Sequence, residues 1–137
     1  MQTMQQKRAK YALEQVQKFI DNGASPKDQK EFKAYAANMP AMIHMNGLGQ
    51  AAAFFKSNNK KIHEDIYNIL SDWLCGKVDY ASTQPYSGCE NLLEGIISKD
   101  MHQYQLAQAE AQALMDWVKK FAKAFMDSDE KSKGEAA

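Results

Sequence analysis

Catalysis or metal binding in this 137-residue chain would have to come from three histidines, two cysteines or a pair of carboxylates at working distance. His63-Glu64 opens like the helix of a zinc protease, in which two histidines four residues apart hold the metal and the glutamate serves as base. The second histidine would fall at Tyr67, so the pattern fails. No Glu-x-x-His pair follows any glutamate, which removes the di-iron arrangement of helical bundles. Cys75 and Cys89 are too widely spaced for a redox pair and lack histidines at zinc-finger spacing. Nothing in the sequence sets either thiol beside a histidine that would activate it, and two reduced thiols are the expectation. Gly47 and Gly49 lack the lysine and hydroxyl of a phosphate-binding loop. We therefore expect no catalytic residue, no metal and no cofactor, and a protein that is not an enzyme.

Cations remain. Lys119, Lys120 and Lys123 lie beside Trp117 and Phe121, and Lys56, Lys60 and Lys61 form a second cluster. Such lysines can neutralise phosphates in a sequence-independent, salt-sensitive way. Lysines near a helix C-terminus also suit the helix dipole, and residue type alone leaves both roles open. Formal net charge is zero, with 17 basic and 17 acidic residues, whereas a free-standing nucleic-acid binder usually has a basic excess. The charge is unevenly spread. Residues 1–33 carry seven bases (Lys7, Arg8, Lys10, Lys18, Lys27, Lys30, Lys33) against Glu14, Asp21, Asp28 and Glu31. Residues 64–94 carry six acids (Glu64, Asp65, Asp72, Asp79, Glu90, Glu94) against Lys77. A chain with one basic and one acidic side can stack on copies of itself, or sit between nucleic acid and a basic partner. Two merely solvated faces would give the same count.

The elements that must position these groups read as helices throughout. Ala9, Ala12, Val16, Phe19 and Ile20 make one helical stripe, closed by Asn22-Gly23. Ser25-Pro26 restarts the chain with a cap and a proline at the first helical position. Phe32, Tyr35, Ala36 and Met39 continue it, and Pro40 predicts a break or kink before Met42, Ile43 and Met45. A short third helix follows Asn46-Gly47, its small residues suited to close packing, with Ala51, Ala53 and Phe54 expected to fill the contact. Ile62 to Leu74 form a fourth. Residues 76–89 have no period and read as a long loop, in which the roles of Tyr80 and Tyr86 stay open. Leu92, Leu93, Ile96 and Ile97 predict a fifth helix. Asp100 can start the last, marked by Tyr104, Ala107, Ala111, Leu114, Val118, Phe121 and Phe125. No strand, internal repeat or linker emerges. The expectation is an all-α fold: a single compact bundle of about six helices with a long C-terminal helix. Residues 1–126 form the bundle domain, and 127–137 a disordered charged tail. No run approaches the roughly 18 apolar residues of a membrane span. The basic N-terminus has no apolar stretch behind it, so neither a signal peptide nor a membrane partner is expected, and the location should be cytoplasmic.

Three ordered blocks resemble a known family. They are Arg8-Ala9-x-x-Ala12; then Phe32 to Ile43 (FKAYAANMPAMI) with Asn46-Gly47-Leu48-Gly49-Gln50-Ala51-x-Ala53-Phe54; and last Tyr104, Glu110-Ala111 and Trp117-Val118-Lys119-Lys120-Phe121-Ala122. Together they look like the small-subunit family of the Cmr complex, the type III-B CRISPR effector. The likeness spans about residues 8–125. It implies a helical bundle without nuclease activity, several copies of which stack inside the ribonucleoprotein. There they help hold the guide RNA–target RNA duplex in antiviral defence, alongside the other Cmr effector subunits. Carried over by motif, the candidate RNA-binding positions are Arg8, Lys33, Lys119 and Lys120. Lys123, one turn beyond Lys119, joins them on spacing. The neutral net charge departs from an RNA-binding composition and implies weak binding by an isolated copy, with affinity gained from several copies together. The competing expectation, from a different class, is a helical protein–protein adaptor whose acidic segment meets a basic partner without RNA contact.

Overall fold

The structure is a computed structural model that describes residues 2–126; the expected disordered tail, 127–137, lies outside the described residues. Six α-helices follow in order among these residues: α1 (Met4–Asp21), α2 (Pro26–Asn46), α3 (Leu48–Ser57), α4 (Lys61–Leu74), α5 (Leu92–Ser98) and α6 (Met101–Phe125). A single 3-10 turn, Asp79–Ala81, lies between α4 and α5, and no strand is present among the described residues.

Local chemistry sets the helix ends. Thr3 and Ser25 each close a capping box, with Gln6 and Asp28 returning the bond. Asn91 and Asp100 accept the N–H groups of Glu94 and Gln103 in the same manner. Between α2 and α3, Gly47 takes φ +88, a left-handed angle at which a side chain is strained. An added Cβ there would also lie 3.2 Å from the Tyr104 hydroxyl.

α6 is the post against which α1 and α2 pack most extensively, with α4 and α3 touching it less and α5 resting on α3 and α4. Ala107, Ala111, Leu114, Met115, Val118 and Ala122 are buried along it. α2 runs antiparallel to it: the Pro40 carbonyl accepts from Gln112 Nε2 at 3.0 Å, the Leu48 N–H donates to Gln108 at 2.9 Å, and the Gly49 N–H donates to the Tyr104 hydroxyl at 2.9 Å. α1 flanks α6 on another side, its Phe19 ring tilted against Phe32 of α2 at 4.5 Å. α4 supplies the largest buried side chain, Trp73, which stacks on Tyr11 at 5.0 Å.

Several expectations need correction. α2 is not broken at Pro40. Proline has no N–H, so the Ala36 carbonyl one turn back loses its helix partner, but Pro40 is buried and its own carbonyl is tied to α6 by the Gln112 amide, so packing against α6 holds the helix through the defect. On α3 the buried face is Ala51, Ala52 and Phe55, while Ala53 and Phe54 face outward. The contact is real, but it is rotated from the expected positions. Ile97 of α5 and Phe125 of α6 are exposed although both fit their helical stripes. The segment 76–89 is the expected loop, with only the 3-10 turn Asp79–Ala81 in it, and its tyrosines are both engaged. Tyr86 is fully buried, its backbone N–H donates to the Leu74 carbonyl, and its ring lies so close to Gly95 that an added Cβ would come within 2.5 Å. Tyr80 donates its hydroxyl to Glu14.

Candidate nucleic-acid interface

The basic residues expected to meet RNA fall into two groups with different surroundings. Arg8 stands on α1 opposite Glu110 of α6. Its Nε donates to Oε1 and a terminal nitrogen to Oε2, both at 2.7 Å, so the guanidinium grips the carboxylate in a fork. Glu110 Oε1 also accepts the indole N–H of Trp73 at 2.9 Å. These bonds hold the Glu110 carboxyl below its ordinary value against the upward push of burial. The same bond to Glu110 raises the Arg8 guanidinium. Arg8 therefore ties α1 to α6, and Glu110 is the residue that joins it to Trp73 of α4. In the sequence Glu110 stands out only as part of a motif; a lone acid on an otherwise apolar helix face was the available signal.

Lys119, Lys120 and Lys123 sit on the last two turns of α6, and all three are exposed. None of them lies within 4.0 Å of a carboxylate among the described residues. Lys33, half-buried, lies in the N-terminal half of α2. The antiparallel course of α2 sets that half alongside the C-terminal half of α6, so Lys33 shares an end of the bundle with the three lysines, whereas Arg8 does not join them.

The same stretch of α6 carries three aromatic rings at intervals of four. Trp117 and Phe121 stack at 5.4 Å and 29°, and Phe121 and Phe125 follow at 6.3 Å and 36°. Lys120 Nζ lies 5.8 Å from the Trp117 ring centre, within reach of a weak cation–π attraction. Phe125, the last ring, is 50% exposed.

His63 is buried among Tyr35, Phe54 and Phe55, with its Nδ1 lacking a hydrogen-bond partner among the described residues. Burial, with Lys60 nearby, pushes its imidazole below the ordinary value. It lines a shallow groove of about 360 Å³ with Tyr35, Met42, Met45 and Phe54. A second cleft of about 370 Å³, at the α1–α2 turn, mixes Lys18 and Lys61 with Asp28, Asp65 and Asp72. Cys75 and Cys89 are buried and free, and burial pushes the Cys75 thiol up. No group of three or more His, Cys, Asp or Glu side chains is placed to hold a metal among the described residues. No helix among them is long and apolar enough to cross a membrane.

This geometry defines a class first: a small helical-bundle protein whose exposed chemistry is a cationic and aromatic helix end. The chain belongs to the CRISPR-associated protein (Cas_Cmr5) family, whose model matches residues 4–125. A relative from Thermus thermophilus, the CRISPR system Cmr subunit Cmr5, is 28% identical over 127 residues, covering 93% of this chain and 99% of its own. The X-ray crystal structure of a CRISPR-associated Cmr5 family protein, also from Thermus thermophilus, superposes with a TM-score of 0.72 at 26% identity, over 93% of this chain and 100% of that one. Family membership supports a CRISPR Cmr complex subunit.

Proposed function

We propose that this protein is a non-catalytic small subunit of the type III-B CRISPR Cmr effector. It stacks in several copies and helps hold the guide RNA–target RNA duplex during antiviral defence in the cytoplasm. Lys119, Lys120 and Lys123, with Lys33 at the same end of the bundle, are the phosphate contacts. Arg8 acts within the protein, through Glu110. The observation that carries the reading is the contrast in pairing: Arg8 is forked onto a carboxylate, whereas the three α6 lysines are exposed with no carboxylate within 4.0 Å among the described residues. Exposed cations with no carboxylate within 4.0 Å among the described residues, in a chain of zero net charge, favour contacts that gain strength when several copies line one RNA.

The test is affinity purification of tagged protein from its native host, with mass spectrometry of the proteins and sequencing of the RNA. Other Cmr subunits with repeat-derived guide RNA are the expected recovery, and Lys119→Ala/Lys120→Ala should lower the RNA retained in a salt-dependent way. Recovery of a protein partner with no RNA would replace this reading with the adaptor alternative.

A further inference from the structure

α2 carries more apolar side chains than the bundle uses. Its core stripe is Phe32, Ala36, Met39 and Ile43, all buried. A second stripe, Tyr35, Met42 and Met45 with Asn38 between them, recurs at helical spacing on another face. It forms one wall of the groove of about 360 Å³, and Phe54 of α3 and His63 of α4 form the other. From Tyr35 to Met45 the wall runs roughly 15 Å along the helix, room for the side chains of a turn or two. Its rim is open: Met45 is 79% exposed and Phe54 is 47% exposed.

A second apolar feature protrudes. Ile97, on the last turn of α5, is 84% exposed, and Met101, at the start of α6, is 74% exposed. With Met45 they are the three most exposed large apolar side chains among the described residues. Single apolar residues on a surface need no explanation, but an open apolar groove and an apolar knob on one chain do. Their borders differ in charge. Around the groove Lys56, Lys60 and Lys61 outnumber Glu31 and Glu64, the latter pairing with Lys56 at 3.9 Å. Beside the knob Glu94 and Asp100 outnumber Lys99.

Resting on the reading above that several copies stack, we propose that the groove is occupied by a second copy of this chain. Ile97 and Met101 of one copy seat between Met42, Met45 and Phe54 of the next. The lysine-rich border then faces the acidic one. Methionine suits both halves, because its flexible thioether adapts to an irregular surface. Each pairing leaves one groove and one knob unused, so further copies add to the row, whereas a two-fold contact of one patch with itself would stop at a dimer. The contact leaves the α6 lysines free, since Met101 and Lys119 lie roughly 27 Å apart along the helix.

The experiment is sedimentation velocity of the full chain without RNA, over a concentration series at low and high salt. The parent should form species larger than a dimer as concentration rises, and salt should weaken them by screening the rim charges. Met45→Glu and Ile97→Glu, both at exposed positions and checked for folding by thermal midpoint, should each weaken self-association by about tenfold or more. Mixed in equal amounts, the two variants should give a dimer and nothing larger, since one keeps its knob and the other its groove. Met45→Leu should associate like the parent. A parent that stops at a dimer, self-association that survives in either glutamate variant, or a mixture that stays monomeric would overturn the knob-in-groove contact and leave stacking to another face. A parent that stays monomeric even at millimolar concentration would overturn the inference together with the unaided stacking it rests on.

Discussion

Two stretches of α6, less than three turns apart, use polar residues in opposite ways. From Tyr104 to Gln112 each of four polar side chains reaches another element: Tyr104 and Gln108 bind the backbone at the start of α3, Glu110 binds Arg8 and Trp73, and Gln112 binds the Pro40 carbonyl. From Lys119 to Lys123 the cations point outward, with no carboxylate within 4.0 Å among the described residues. One helix thus holds the bundle with its first half and presents charge with its last turns. The lesson is that a motif-matching cation is informative only with its surroundings. Arg8 and Lys120 match the same family pattern equally well, yet the first is neutralised inside the protein.

The apolar stripe common to both stretches gives the largest expected effect. Leu114 is fully buried, and Leu114→Ala should cost about 2–5 kcal/mol of unfolding free energy in a urea titration, by lost transfer energy plus a cavity. Phe125→Ala, from the same stripe, should change stability by less than about 0.5 kcal/mol, since exposed positions seldom matter more. Comparable losses at both positions would erase the division between a holding half and a presenting end.

Glu110→Gln comes next. It removes a forked, charge-assisted pair and weakens the acceptor for the Trp73 indole, and should cost about 1.5–3 kcal/mol. Arg8→Gln should cost less when combined with it than alone, a coupling read from a double-mutant cycle. A neutral Glu110→Gln would mean that the node is ornamental, and it would return Arg8 to the RNA-binding candidates.

The pH dependence sharpens the same point. The folded Glu110 carboxyl lies below its ordinary 4.5, so the unfolded chain binds its proton first as the pH falls. Its contribution is therefore fully present above pH 4.5 and is lost as the pH drops through the lower folded value. Chemical denaturation of the parent protein across that window should show a steeper acid loss than Glu110→Gln. Parallel curves would break the assignment. His63, also held below its ordinary 6.5 by burial, adds loss at higher pH, beginning below 6.5. His63→Phe should flatten that part alone.

The smallest stability effect belongs to Lys119→Ala/Lys120→Ala, expected within about 0.5 kcal/mol. The functional effect should be larger: the slope of RNA affinity against salt concentration should fall by roughly one for each phosphate that is no longer neutralised. A protein destabilised by this pair would place the lysines with the holding half.

How much was legible in the sequence follows from the range of the forces involved. Helix count, the caps at Ser25 and Asp100, the turn at Gly47 and the absence of metal-ligand spacing are local matters, set within about four residues, and sequence alone determined them. The family likeness was legible too, because its blocks are contiguous. Tertiary structure decided the rest. Pro40 reads as a breaker until it is buried against a helix whose Gln112, 72 residues away, ties that part of α2 in place. Which of Ala51 to Phe55 face inward depends on how α3 is rotated against its neighbours, and an unbroken apolar stretch has no periodicity to set that rotation. Arg8 and Glu110 are 102 positions apart, and no spacing rule pairs them. Local sequence determined which residues were cations. Only the packing of α1 and α4 against α6 decided which cation met an acid and which were left facing solvent.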